Sequence, residues 1–88
     1  MQEKYFTYVL YAEAYDKIYI GFTTDPTKRL DSHNSAINKG WTRSFQPWKM
    51  IYHEEYSTKK EALVREKQLK TYQGREFIRN ELILNKKK

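Results

Sequence analysis

Apolar and polar positions divide the chain into three stretches that read as strands and three that read as helices. Tyr5 to Ala12 and Lys17 to Thr23 are rich in aromatic and β-branched residues. The Glu13-Ala14-Tyr15-Asp16 interval between them is hairpin-like, without the Asn-Gly type of turn that sets register. Asp25-Pro26 offers an N-cap acceptor followed by proline at the first helical position, and predicts a helix to about Asn38 that ends at Lys39-Gly40. An irregular stretch from Trp41 to Pro47 precedes a third strand, Trp48 to Tyr56. Thr58-Lys59-Lys60-Glu61 matches a capping box and opens a second helix extending to about Tyr72. Gly74 is expected to break it, with a third helix from Arg75 to Leu84. The order β-β-α-β-α-α predicts an α+β fold, a small three-stranded sheet flanked by helices. The first two strands must be antiparallel, and the third can pair either way.

Several polar residues fall where this pattern calls for apolar ones. Arg29 and His33 are four apart on the first helix and share a stripe with Leu30 and Ile37. Taken alone, Arg29 reads as a snorkelling side chain and His33 as a hydrogen-bonded border histidine. Glu66 falls among Ala62, Leu63 and Leu69, inside the apolar arc of the second helix. A carboxylate there is costly to bury without a cation, a metal or several hydrogen bonds. The competing reading is a surface ion pair with Lys70 or Arg65. A lone helical carboxylate suits a hard cation such as Mg²⁺, which keeps most of its waters. Tyr8 and Tyr19 lie on the two hairpin strands, where tyrosine is favoured in any case. No HExxH, Walker loop or GxSxG elbow is present, and His33 and His53 are too few and too separated for a zinc site.

Composition narrows the field. The chain has 88 residues and reads as one domain, residues 1–85, with a basic tail at 86–88. It has no cysteine, which removes disulfides, thiolate metal sites and a cysteine nucleophile. No apolar run approaches the ~20 residues of a membrane helix, and no signal-like segment opens the chain, so a soluble cytoplasmic protein is expected. The net charge of +6 is unevenly placed. Residues 1–56 hold seven bases and seven acids, and residues 57–88 hold ten bases and four acids. Such an excess draws polyanions, and it equally describes a solubilising helical surface.

Taken together, these residues resemble the GIY-YIG nuclease superfamily. Phe6-Thr7-Tyr8-Val9-Leu10 places Tyr8 where the first tripeptide has its tyrosine, and Tyr19-Ile20-Gly21 is an intact YIG. Arg29 and His33-Asn34 match an R-x-x-x-H-N pattern, and Gln46-Pro47-Trp48-Lys49-Met50 is similar to the "PW" strand entry of small stand-alone members. Ala62-Leu63-Val64-Arg65-Glu66 corresponds to the helix that carries the family's glutamate, and Lys67-Gln68-Leu69-Lys70 continues the likeness. Phe6-Thr7 departs from the Gly-Ile of the family name, and Asn80 is the candidate for a late asparagine found in many members.

The resemblance covers about residues 5–79 and implies a three-stranded antiparallel sheet flanked by helices. It also implies divalent-metal-dependent hydrolysis of phosphodiester bonds in DNA, in a setting such as repair or recombination. Glu66 would hold Mg²⁺ or Mn²⁺, Tyr8 would act as general base or proton relay, and Arg29 would grip the phosphate. His33 would support Tyr8, Tyr19 would orient water or phosphate, and Gly21 would let the backbone approach closely. Lys67, Lys70 and Arg75 are the expected contacts to a nucleic-acid backbone. The alternative is a non-catalytic nucleic-acid-binding module with the same fold. Trp41, Phe45 and Tyr72 are candidates for stacking on an exposed base, or core residues. The larger members attach further domains for targeting, and in a chain this short an accessory protein or a homodimer is expected to supply specificity.

Overall fold

The computed structural model describes residues 3–84, so the expected basic tail at 86–88 lies outside the described residues. Strands β1 (Tyr5–Ala12), β2 (Lys17–Thr23) and β3 (Lys49–Tyr56) form one sheet in the order β2-β1-β3, antiparallel throughout. Helices α1 (Pro26–His33), α2 (Lys59–Leu69) and α3 (Tyr72–Phe77) flank it, and a π-helical segment, Ile78–Leu84, continues α3. This is the α+β architecture in the expected order, and it settles the third strand as antiparallel to β1.

The central strand explains why both faces are covered. From Thr7 to Ala12 every residue of β1 is buried, as expected of a strand packed on both sides. Tyr8, Leu10 and Ala12 join Trp48 on one face, with Tyr19, Leu30, Phe45 and Met50 packed around them. Val9 and Tyr11 join Ile20, Leu69, Ile78 and Ile83 on the other. The Thr7 hydroxyl donates to the Ala62 carbonyl at 2.7 Å, fastening α2 to the middle of the sheet. Register places Tyr8 opposite Gly21 on β2 and opposite His53 on β3, with an irregularity in the β1–β3 pairing at Val9/Leu10.

Local chemistry accounts for the helix starts. Asp25 caps α1 by accepting from the Lys28 amide at 3.1 Å. Thr58 caps α2 by accepting from the Glu61 amide at 3.2 Å, and its hydroxyl meets the Glu61 carboxylate at 2.9 Å. The helix ends differ from the sequence expectation. α1 stops at His33, not near Asn38, because side chains take over its last carbonyls: Asn38 and Gln46 donate to the His33 carbonyl at 3.0 and 2.8 Å. Asn34 meanwhile bonds both the amide and the carbonyl of Trp48, at 2.6 and 2.9 Å. The break between α2 and α3 falls at Lys70-Thr71, and Gly74 lies inside α3. A Cβ on Gly74 would sit 2.3 Å from the Gln68 carbonyl oxygen, so this glycine permits a close approach of α3 to the end of α2.

Candidate active site

Hairpin register and the end of α1 bring three predicted residues together. Tyr8 is 1% exposed, and its hydroxyl lies 3.2 Å from Nε2 of the buried His33. The Tyr19 ring sits 4.5 Å from the His33 ring and 6.1 Å from that of Tyr8. Gly21 faces this cluster across the register, and a Cβ there would come within 2.8 Å of the Tyr8 hydroxyl. The glycine of the Tyr19-Ile20-Gly21 tripeptide is thus the space in which the Tyr8 hydroxyl rests.

His33 is oriented from behind by two residues that the sequence pattern did not single out. Its Nδ1 is 3.1 Å from the Thr42 hydroxyl, which also accepts from the Asn38 side-chain amide at 2.7 Å. The Thr42 hydroxyl can donate its proton to Nδ1, and in that tautomer a neutral His33 carries its proton on Nε2, facing the Tyr8 oxygen. The Trp48 indole donates to the Thr42 carbonyl at 2.7 Å and holds this 3-10 turn (Trp41–Phe45) against the sheet. No local motif announces Thr42 or Asn38, since their partner lies nine and five residues back across a turn.

Charge reaches the cluster from two more elements. Arg29 is exposed on α1, and its guanidinium lowers the pKa of both Tyr8 and His33. Burial pushes the Tyr8 phenol well above its ordinary value, with Tyr19 and the Glu66 carboxylate adding to the rise. Burial likewise holds His33 below its ordinary range, so the imidazole is neutral near pH 7. Glu66, on the sheet-facing stripe with Ala62 and Leu69, is only 17% exposed and pairs with Lys70 at 2.6 Å. The ion pair with Lys70 that the sequence also allowed is thus present, and among the influences on Tyr8 the Glu66 charge is the smallest.

The remaining predicted residues are spread along the last helices. Lys67 is exposed on α2, and no carboxylate among the described residues lies within ion-pair distance of it. Lys70 is engaged by Glu66, and Arg75 donates from Nε to the Lys70 carbonyl at 3.2 Å. Asn80 donates to Glu76 at 3.2 Å and lines a groove with Tyr11, Glu13 and Arg79, apart from the tyrosine-histidine cluster. Among the described residues no group of three His, Cys, Asp or Glu could hold a metal between them. Glu66 would then be a single carboxylate ligand, which suits a hard divalent cation that retains its waters. No helix among the described residues is long and apolar enough to cross a membrane.

The chain is similar to known proteins over most of its length. Residues 4–80 match the family model of the GIY-YIG catalytic domain. A UPF0213 protein of Bacillus pumilus is 42% identical over 55 residues, spanning 62% of this chain and 56% of the relative. UPF0213 proteins of Staphylococcus epidermidis and Staphylococcus aureus are 34% and 36% identical over 70 and 62 residues. Those matches span 80% and 70% of this chain, and 84% and 76% of the relatives.

Proposed function

We propose, since the chain belongs to the GIY-YIG catalytic-domain family and to the UPF0213 proteins, that it is an endonuclease hydrolysing phosphodiester bonds in DNA. The observation that carries this reading is the 3.2 Å contact between the Tyr8 hydroxyl and His33 Nε2, within the fields of Arg29 and Glu66. The family match over residues 4–80 supports reading that pair as part of a catalytic site.

In this reading Tyr8 first gives up its phenolic proton to solvent, and the phenolate then takes the proton of the attacking water and returns to the neutral phenol. An Nε2–H on His33 would steady the phenolate before it takes that proton, and Thr42 and Asn38 hold the ring in position. A phenol raised by burial is a reluctant phenolate but a strong base once formed, so the nearby Arg29 charge is needed to lower the cost. Arg29 also contacts the scissile phosphate and offsets charge in the transition state. Tyr19 orients the water or a phosphate oxygen, and Gly21 keeps the Tyr8 hydroxyl unobstructed. Glu66 would hold Mg²⁺ or Mn²⁺, which when bound supplies positive charge to the phosphate and the leaving oxygen.

The test is cleavage of plasmid, branched and single-stranded DNA with Mg²⁺, Mn²⁺ or EDTA. Cutting should need the metal and should be lost in Glu66→Ala, Tyr8→Phe and Arg29→Ala. Cleavage that survives both EDTA and Glu66→Ala overturns the metal assignment. Steeply salt-dependent DNA binding with no cutting of any substrate would instead favour a binding module.

A further inference from the structure

From the tyrosine-histidine cluster a line of aromatic rings runs out to the surface. Trp41 lies 6.0 Å from Tyr19, Phe45 lies 5.6 Å from Trp41, and Tyr15 lies 5.3 Å from Phe45, all between ring centroids. Three separate pieces of chain supply these rings: the turn after β1, strand β2 and the 3-10 turn before β3. Trp48 stands beneath Trp41 at 5.9 Å and is only 3% exposed. Trp41 and Tyr15, by contrast, are 53% and 51% exposed, although each costs apolar surface in water. Rings that served only as core would be covered as Trp48 is.

Cations are interleaved with the exposed rings. Lys17 Nζ lies 5.4 Å from the centre of the Phe45 ring. Lys39 and Arg43 flank Trp41 in sequence and are exposed. Among the described residues no carboxylate is within ion-pair distance of any of the three. Their charge is thus available to a ligand, unlike that of Arg65, Lys70 and Arg79, which acids on the chain already engage.

We propose that this aromatic ramp binds unpaired nucleotides flanking the scissile phosphate, with bases stacked on Trp41 and Tyr15 and phosphates met by Lys17, Lys39 and Arg43. The inference rests on the nuclease reading for its direction, since the ramp ends at Tyr19. It adds a substrate class: a single strand, or a strand frayed next to the cut. Paired bases are already stacked on their neighbours and have no face to offer a side chain, whereas each unpaired base has one. Stacking is tolerant of sequence, so the ramp selects strandedness and leaves base identity unread. Tyr72, although 78% exposed, stands on α3 outside this line of rings and takes no part.

The experiment measures binding in EDTA, where no metal-dependent cutting occurs, by anisotropy of labelled dT15, rU15 and a blunt 15-base-pair duplex at matched salt. Either single strand should bind at least tenfold more tightly than the duplex, and the tighter of the two names the preferred sugar. Trp41→Ala should weaken single-strand binding about tenfold or more while leaving duplex binding within twofold. Thermal melting reports whether that variant folds. Trp41→Phe, which keeps a ring, should restore most of the affinity, and Tyr15→Ala at the exposed end gives a second reading with little packing to lose. Duplex binding equal to single-strand binding overturns the proposal, as does folded Trp41→Ala with unchanged dT15 and rU15 affinity. Because this assay reads no cleavage, loss of the nuclease reading leaves its outcome legible, and cutting of duplex DNA by a chain with no single-strand preference rejects the ramp alone.

Discussion

Lys70 Nζ lies 2.6 Å from Oε2 of Glu66, one helical turn along α2, so the carboxylate proposed to hold a metal already holds an ammonium. The lysine head is 46% exposed and Glu66 is not, so the pair can open outward without disturbing the core. An exposed ion pair is worth up to about 1 kcal/mol, and a divalent cation must displace it. Lys70→Met should therefore tighten Mn²⁺ binding about fivefold. Free Mn²⁺ measured by electron paramagnetic resonance checks this, with Glu66→Gln as the variant that binds none. Weaker binding in Lys70→Met would mean the lysine shapes the site and does not compete for it.

Gly21 is the second point at which a small change should separate folding from chemistry. An added Cβ meets the Tyr8 hydroxyl at 2.8 Å and the Tyr19 ring at 3.0 Å, both side-chain atoms that can shift. Gly21→Ala should accordingly fold, with a modest drop in melting temperature. Its cleavage rate should fall about 100-fold, because displacements near 1 Å at a reacting group cost that much. An active Gly21→Ala would show that the Tyr8 hydroxyl does not need its present position.

Much of this geometry was legible in the residues themselves. Both hairpin strands carry the aromatic and β-branched signal from end to end, and their bounds match the sequence reading. Glu66 stood out because it interrupts the Ala62–Leu69 stripe, and that stripe does face the sheet. Helix ends were harder, since they depend on distant partners. The Asn34–Trp48 and Gln46–His33 bonds that end α1 span fourteen and thirteen residues, beyond any local cap signal. Gly74 reads as a breaker by propensity, yet packing against Gln68 makes it the one residue α3 can hold there. Trp41 and Phe45 were legible as stacking candidates, but their line to Tyr15 was not, because Tyr15 and Phe45 meet across thirty positions.

A second polar cluster, on the β3 side of the sheet, makes an independent prediction. Glu54 accepts from the hydroxyls of Tyr52 and Tyr56 and from Arg65 Nε at 2.9 Å, tying α2 to the edge strand one residue before Glu66. Partial burial raises the Tyr56 phenol, and with the bond and charge of Glu54 it is pushed up to about 12. Against its own burial, these bonds and Arg65 hold the Glu54 carboxyl below its usual value. Replacing Glu54 with Gln should return Tyr56 toward 10, readable as phenolate absorbance in an alkaline titration, and should cost about 1–2 kcal/mol of stability. An unchanged titration would place the Tyr56 shift on burial alone.

His33 sets the acid limit of the fold. Burial, then the Arg29 charge, keeps its pKa below the ordinary value of about 6.5, so the folded chain prefers the neutral imidazole. The unfolded chain takes up a proton near that ordinary value, and below it the unfolded state binds more protons than the folded one. Stability from neutral His33 is thus complete above about pH 6.5 and is lost as pH falls from there through the lowered folded value. Carboxylates such as Glu54, held below their own usual range, give way only at more acidic pH. Melting temperature should therefore begin to drop between about pH 6.5 and 5, before the carboxylate transition. His33→Gln should lower the plateau yet flatten that early drop. A wild-type melting temperature constant from pH 7 to 5 would show that folding does not discriminate against the charged imidazole.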